Sequence, residues 1–403
     1  MTCLSGQGPI FWTEARGANV RDADGNVFVD LTAGFGVASA GHGDPRVRAA
    51  LTDQAGRLMH GLGDVQPAEI KVRLLEKLAE LAPGDLGVTV LASSGAEAVE
   101  AALKTALLQT GRPGVLAFEG SYHGLTYGAL AVTWPARFRE PFRAQLYDGV
   151  QFAPFAATPG SAATSLDAAA RIIDEAESGP APIGAVIVEP VQGRGGLVVP
   201  DDGFLEGLRA LCDGRSRVLI FDEIYTGFGR TGRWFACEHW AVVPDMITLG
   251  KALSGSLPLS GAIGTAQLMM AWPVSSGEAL HTSTFLGNPL ACAAALAQIS
   301  AIEQDRLLDR AVAIGARVRE RAEAWVARFD CARATTGLGG MQGVVLTDVA
   351  ATEVCAAALE NGVIVLAEGP ALDVLAITPP LAITDAQLDY ALGVIEAALA
   401  RAS

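Results

Sequence analysis

Five short apolar runs through the middle of the chain constrain its fold more than any other feature. Val88–Ala92, Val115–Phe118, Ala185–Val188, Val218–Phe221 and Met246–Leu249 are four or five residues long and show no polar alternation. Strands of this kind need cover on both faces, which a sheet open to water on one side does not give. Helical patterns lie between several of them. After Ser94, residues Val99, Leu103, Ala106 and Leu107 fall on one face at i, i+4, i+7 and i+8 spacing. Strands alternating with helices predict an α/β fold with a mainly parallel sheet flanked by helices. In such sheets ligands gather beyond the carboxyl ends of the strands.

The two ends of the chain read differently. Long helical patterns, Ala311–Phe329 and Ala386–Ala400, flank short strand-like pieces such as Val363–Leu366. Thr384-x-x-Gln387 is a capping box for the last helix, and a glycine-rich stretch runs from Gly337 to Gly343. Asp22-Ala-Asp-Gly25-Asn before Val27–Leu31 is a hairpin signal. With 403 residues the chain exceeds one hydrophobic core. The expected division is 1–50 as an N-terminal segment of a small domain, 51–290 as the large domain, and 291–403 as the C-terminal small α+β domain.

Composition narrows the function classes. Half the residues are hydrophobic and 18% are charged, which excludes disorder along the whole length. A formal charge of −15 argues against a nucleic-acid binder or a protein that coats anionic membranes. There is no 18-residue apolar run; Leu290–Ile302 is short, carries Gln298 and Ser300, and reads as a buried helix. The start, MTCLSGQGPIFW, lacks a basic region followed by an apolar one. Cys3, Cys212, Cys237, Cys292, Cys331 and Cys355 are scattered without paired spacing. That favours reduced thiols in the cytoplasm over a disulfide framework or a zinc site, and no metal is expected.

Lysine usage points to the chemistry. Of 29 basic residues only Lys71, Lys77, Lys104 and Lys251 are lysines, and the first three lie in helical patterns where a solvated face is the ordinary explanation. Lys251 instead follows the run Met246–Leu249 and a glycine. A lysine whose burial lowers its pKa is a nucleophile able to form a Schiff base with a carbonyl. A lysine that binds phosphate or pairs with an acid is the alternative. A Walker loop is excluded, because Ala252 follows the lysine and Asp245 stands where the first glycine would be. Asp222 ends the run Val218–Phe221, and the two residues together suit pyridoxal phosphate. The lysine would carry the aldehyde, and the acid would keep the pyridine nitrogen protonated. A metal ligand or a helix cap is the other use of such an aspartate. Ser94-Gly95-Ala96-Glu97 opens a helix where backbone amides can bind phosphate, and also reads as a plain capping box. Tyr122-His123-Gly124 offers an aromatic to stack on a planar ring, although an aromatic after a strand is more often core.

Gly227-Phe-Gly229-Arg-Thr-Gly232 matches the dinucleotide fingerprint letter for letter. That motif must join a strand directly to a long helix. Here five residues separate it from the strand, and Pro244 soon follows, so a nicotinamide site is not expected.

Taken together these residues resemble the class III pyridoxal-phosphate-dependent aminotransferases, of fold type I. The resemblance covers nearly the whole chain. It rests on Gly41-His42 with Pro45, Ser94–Ala98, Tyr122-His123-Gly124, Glu189-Pro-Val-Gln-Gly193, Asp222-Glu223 with Gly227–Gly232, and Gly250-Lys251. Ser283-Thr284-Phe285 with Gly287-Asn-Pro289, and Pro379-Pro-Leu381, complete it. It implies that residues 51–290 bind pyridoxal 5′-phosphate. Lys251 would carry the cofactor and move a proton, Asp222 would pair with the ring nitrogen, and Tyr122 and Ile224 would sandwich the ring. Ser94, Gly95 and Ala96 would hold the phosphate, with His123 and Glu189 beside the cofactor. Thr284 would reach the neighbouring subunit's phosphate in a homodimer whose active site lies at the interface. Phe35 and Arg194 are the expected substrate positions.

Departures from the family pattern bear on substrate. Ala96 stands where a hydroxyl residue is frequent, and Tyr225 where Gln often lies. Members that handle glutamate have a Glu after the Gln-Gly and an Arg before the Pro-Pro-Leu, where this chain has Arg194 and Ala376. Arg194 is therefore expected to supply part of the carboxylate recognition from the other side of the pocket, with an exposed arginine on a loop as the alternative. The activity implied is transfer of an amino group from an amine or ω-amino acid to a keto acid such as pyruvate or 2-oxoglutarate. An aminomutase or racemase of the same family, a non-catalytic ligand-binding protein and an NAD-dependent oxidoreductase are the rivals.

Overall fold

The computed structural model describes residues 9–403, so Cys3 lies outside the described residues. The five apolar runs are strands of one seven-stranded sheet. Its order is Leu86–Ala92, Ser260–Thr265, Met246–Leu249, Val218–Asp222, Ile183–Val188, Gly114–Phe118 and Val150–Ala153. Only Ser260–Thr265 opposes its neighbours; the other six point the same way. That strand escapes a reading of apolar runs because it contains Gly261 and Gly264. A Cβ at Gly261 would lie 2.9 Å from the Val90 carbonyl oxygen.

The expectation of two covered faces holds. Ile187 and Ile220 pack with Val99, Ala102 and Ala106 of the helix Gly95–Thr110. Val186, Val188, Leu219 and Phe221 face the opposite layer with Phe204 and Leu208 of the helix Phe204–Arg215. Each such side chain taken out of water contributes about 1.5–3 kcal/mol, which offsets the entropy of ordering the strands. Leu290–Ile302 belongs to the helix Pro289–Gln304, which is buried almost all round. Among the described residues no helix is long and apolar enough to cross a membrane.

The chain ends meet. Trp12–Arg16, Asn19–Asp22 and Val27–Asp30 form a sheet completed by Val363–Ile364, with Val363 beside Val29. The Asp22 carboxylate accepts the amides of Asp24 and Asn26 at 3.0 and 2.8 Å, and Gly25 takes φ +89°, which closes the expected hairpin. A second sheet runs Ala332–Leu338, Met341–Leu346, Val374–Ile377, Leu366–Glu368, all antiparallel. The run Val363–Leu366 is thus not one strand. The chain changes sheets at buried Val365, so its two halves bond to different partners.

One sequence expectation changes here. Lys71 is buried, not on a solvated face: its ammonium pairs with Asp64, and its stem packs where a Gly287 Cβ would be. The glycine-rich Gly227–Gly232 segment is a tight turn that carries a fully buried arginine. Arg230 donates from Nη1 to the Pro379 carbonyl at 2.7 Å and from Nη2 to Ser39 Oγ at 3.2 Å. A further Nη1 contact reaches the Gly340 carbonyl at 3.4 Å. One guanidinium therefore ties the central sheet's loop to three segments at the chain ends. Burial lowers its pKa to about 10 against the opposing influence of Tyr225 and Asp30, and no described acid forms an ion pair with it. Replacing Arg230 by Ala strands those acceptors and leaves a void. The unfolding free energy in urea should fall by about 3 kcal/mol or more.

Candidate active site

Parallel strands deliver the functional side chains to one edge. Leu86–Ala92 leads into Ser94 and the helix Gly95–Thr110, and Gly114–Phe118 leads to Tyr122 and His123. Ile183–Val188 ends at Glu189, Val218–Asp222 ends on its own aspartate, and Met246–Leu249 leads through Gly250 to Lys251. Gly95, Ala96, Tyr122, His123, Glu189, Arg194, Asp222, Ile224, Tyr225 and Lys251 line one cavity of about 300 Å³.

Asp222 is buried at the floor of this cavity. A carboxylate can only accept, so His123 donates from Nδ1 to Oδ2 at 2.7 Å. Thr248 Oγ1 and the Ile224 amide donate to Oδ1 at 3.0 and 3.1 Å. These three donors fix the position of the carboxylate. The His123 ring is buried, and its Nε2 has no partner among the described residues.

Lys251 opens the short helical turn Lys251–Leu253 with φ +42°, in the left-handed region that costs a residue with a Cβ about 1 kcal/mol or more. Its Nζ lies 4.3 Å from the centroid of the Tyr225 ring. Burial lowers the ammonium's pKa, against the opposing charges of Asp222, Glu189 and Glu368. The Tyr225 ring is wedged between two glycines. A Cβ on Gly36 or on Gly193 would come within 2.4 Å of it, and its hydroxyl donates to Thr378 Oγ1 at 3.2 Å.

Glu189 is buried and accepts the amides of Tyr122 and Gly193, both at 2.9 Å. It joins two turns of the site. Desolvation raises its pKa to about 7. Ser94 caps its helix: Oγ accepts the Glu97 amide at 3.3 Å, and the Glu97 carboxylate takes the amides of Ser93 and Ser94. The capping box leaves the amides of Gly95 and Ala96 without an acceptor among the described residues. Gly95 lets Ile224 approach, since a Cβ there would sit 2.9 Å from Ile224 Cδ1.

These features suit a planar aldehyde cofactor bearing a phosphate. There are two open amides at a helix start, an aromatic and an aliphatic wall, a carboxylate at the floor and a buried amine.

Not every expected residue joins the cavity. Arg194 does, with its guanidinium 5.1 Å from the Tyr122 ring centroid. Phe35 does not; it sits on a strained turn with φ +61° and is 56% exposed. Its neighbour Gly36 is the residue that meets Tyr225. Thr284 is exposed and away from this cavity. Sequence reasoning missed Glu368, a buried carboxylate whose Oε2 lies 3.6 Å from Arg194 Nε. Ala-Glu-Gly-Pro reads as a turn, and the short strand Leu366–Glu368 gave no pattern to find.

Known proteins match this arrangement. The family model for class-III aminotransferases covers residues 4–399. The acetylornithine aminotransferase of Methanosarcina mazei is 38% identical, over 98% of this chain and 92% of that one. The 5-aminovalerate aminotransferase of Pseudomonas aeruginosa is 37% identical, over 96% of this chain and 92% of that one. Among solved structures, the ornithine aminotransferase of Toxoplasma gondii superposes with a TM-score of 0.87 at 30% identity. The match covers 98% of this chain and 91% of that one, and that protein holds pyridoxal phosphate at partial occupancy in its active site.

Glu189 gives the site a pH signature. Burial raises its pKa above the unfolded-chain value, so the folded state keeps a proton that the unfolded state has lost. The stability tied to that proton is full below about 4.5 and is lost as pH rises through about 7. The melting temperature of Glu189→Gln should therefore vary less over this window than that of the unsubstituted protein.

Proposed function

The chain belongs to the class-III aminotransferases, pyridoxal-phosphate-dependent enzymes of fold type I, and we propose that its amino donor is an amine or ω-amino acid and its acceptor a keto acid. The observation that carries the assignment of roles is the convergence of Lys251 and Asp222 on one cavity from the ends of two parallel strands. Pyridoxal phosphate, when bound, supplies a carbonyl carbon that takes up the amino group and a ring that accepts electrons.

The chain's own residues do the rest. Asp222, held by His123, Thr248 and the Ile224 amide, would keep a proton on the ring nitrogen. Tyr122 and Ile224 would hold the ring between them, and the amides of Gly95 and Ala96 would hold the phosphate. Lys251 Nζ is the group that would hold the cofactor through its aldehyde, and when free it would take the proton from the substrate carbon that bears the amine. Burial lowers the pKa of that amine. Arg194 offers its guanidinium edge to a substrate carboxylate, with one face on Tyr122. Ala376 lies buried in a small apolar cluster with Leu197 and Met341, so no charge stands there to grip a second one. Related proteins are named for 5-aminovalerate and 4-aminobutyrate, whose amines lie far from their carboxylates. That supports the ω-amino reading.

The working unit is a homodimer with its active sites at the interface. Met59, Leu62, Val65 and Phe285, the last next to Thr284 in the chain, expose apolar side chains, and the His60 ring lies tilted 58° against Phe285 at 5.4 Å between centroids. A second copy covering this surface would place Thr284 at the partner's phosphate. The five described cysteines are buried and unpaired, which suits the reducing cytoplasm.

Two measurements test these roles. Lys251→Ala should lose the holoenzyme's visible absorption band and about three orders of magnitude or more of turnover. Retention of both would mean that another group carries the aldehyde. Arg194→Ala should raise KM about tenfold for both the carboxylate-bearing donor and the keto acid, with kcat little changed. Unchanged Michaelis constants would remove Arg194 from substrate recognition.

A further inference from the structure

Glu368 has no place in the roles above, yet it stands directly behind the residue that meets substrate. It ends the strand Leu366–Glu368 and is 3% exposed. Its Oε2 and the Nε of Arg194 face each other at 3.6 Å, too far for a hydrogen bond, and neither atom has another partner among the described residues. The backbones are joined as well, because the Gly369 amide donates to the Arg194 carbonyl at 3.1 Å. The segments that carry the two charged residues are therefore tied to each other through the backbone.

The guanidinium is confined on several sides. Tyr122 and Phe138 lie 5.1 and 5.9 Å from its carbon, and Glu368 occupies the Nε side. No described residue takes a hydrogen bond from its two Nη groups, which remain for a ligand. The wall of the cavity carries only one other cation, Lys251, against the acids Glu189 and Asp222. Arg137 does not line the cavity; it is exposed, with Nη1 on the Pro370 carbonyl and its guanidinium 4.9 Å from the Phe138 ring centroid, and its charge also acts on Glu368.

We propose that Glu368 is the positioning residue and counter-charge of Arg194, making this a subsite for a single carboxylate that disfavours dicarboxylates. One carboxylate can take the Nη edge in two parallel hydrogen bonds. A second carboxylate on the same molecule finds no further free cation among the described residues of the wall and meets the field of Glu368 behind Arg194. Like-charge placement of this kind is how a site rejects a near relative of its substrate. The inference deepens the proposed function and rests on Arg194 as the carboxylate contact.

Glu368→Gln and Glu368→Asp test it, in the holoenzyme. Titration with butyrate and with glutarate, followed by the visible absorption, gives binding without turnover. The unsubstituted protein should bind butyrate more tightly than glutarate. Glu368→Gln should narrow that ratio about tenfold, and Glu368→Asp should largely keep it. In steady state the Gln variant should lower KM for 2-oxoglutarate while kcat with pyruvate stays within about threefold, a split that a general loosening of the fold would not produce. A stronger preference for glutarate in the unsubstituted protein overturns the proposal even if the Gln variant does not fold. A ratio unchanged in Glu368→Gln also overturns it. If Arg194→Ala leaves both dissociation constants where they were, the carboxylate reading of Arg194 falls, and this proposal with it. If Arg194→Ala weakens both while Glu368→Gln changes nothing, this proposal alone falls.

Discussion

A strand that runs parallel to its neighbour cannot turn straight back into it. The chain must leave at one end, cross a face of the sheet and re-enter at the other. Five strands have a parallel neighbour and obey that constraint here; with Leu86–Ala92, which points the same way, their departing turns collect on one edge. Residues as far apart in sequence as Gly95, Tyr122, Glu189, Asp222 and Lys251 become neighbours for this reason. The one strand that runs the other way, Ser260–Thr265, begins on the same edge. Its Ser260 hydroxyl donates to the Ser94 carbonyl at 2.6 Å, which secures the start of the helix that follows.

Bringing charges to that edge costs desolvation, and the structure offsets the cost group by group. Asp222 has three donors and Glu189 two backbone amides. Glu223, just beyond the aspartate, accepts the Thr226 hydroxyl and the amides of Ala236 and Cys237. It still lies raised to about 6, because burial outweighs those bonds. Glu223 thus anchors the loop behind the floor without facing the cavity, while Asp222, one residue earlier, faces it. Alternation along a strand end separates a structural carboxylate from a chemical one.

The strands Val218–Asp222 and Met246–Leu249 were legible because runs apolar on both faces have few other folds. The helix after Ser94 was legible because cap and periodicity agree, and Lys251 because lysine is scarce in this chain. Glycine-containing Ser260–Thr265 and the sheet change at Val365 were not, since partners far along the chain decide both. Lys71 looked solvated because its helix pattern does not reveal that Asp64 and Gly287 close over it. Glu368 was invisible for a similar reason. Its meaning comes from Arg194, 174 positions earlier, and no local pattern carries such a pairing.

The wedge at Tyr225 has a historical corollary. Its ring fills the space that a side chain at position 36 or 193 would need. Neither glycine can therefore acquire a β-carbon while the tyrosine is there, and the tyrosine could not have arrived before both were bare. The three sites form one mutational lock with a fixed order of opening: position 225 must shrink first. Laboratory evolution aimed at bulkier amines would meet that lock early, because single changes at 36 or 193 would be purged before the permissive change had occurred.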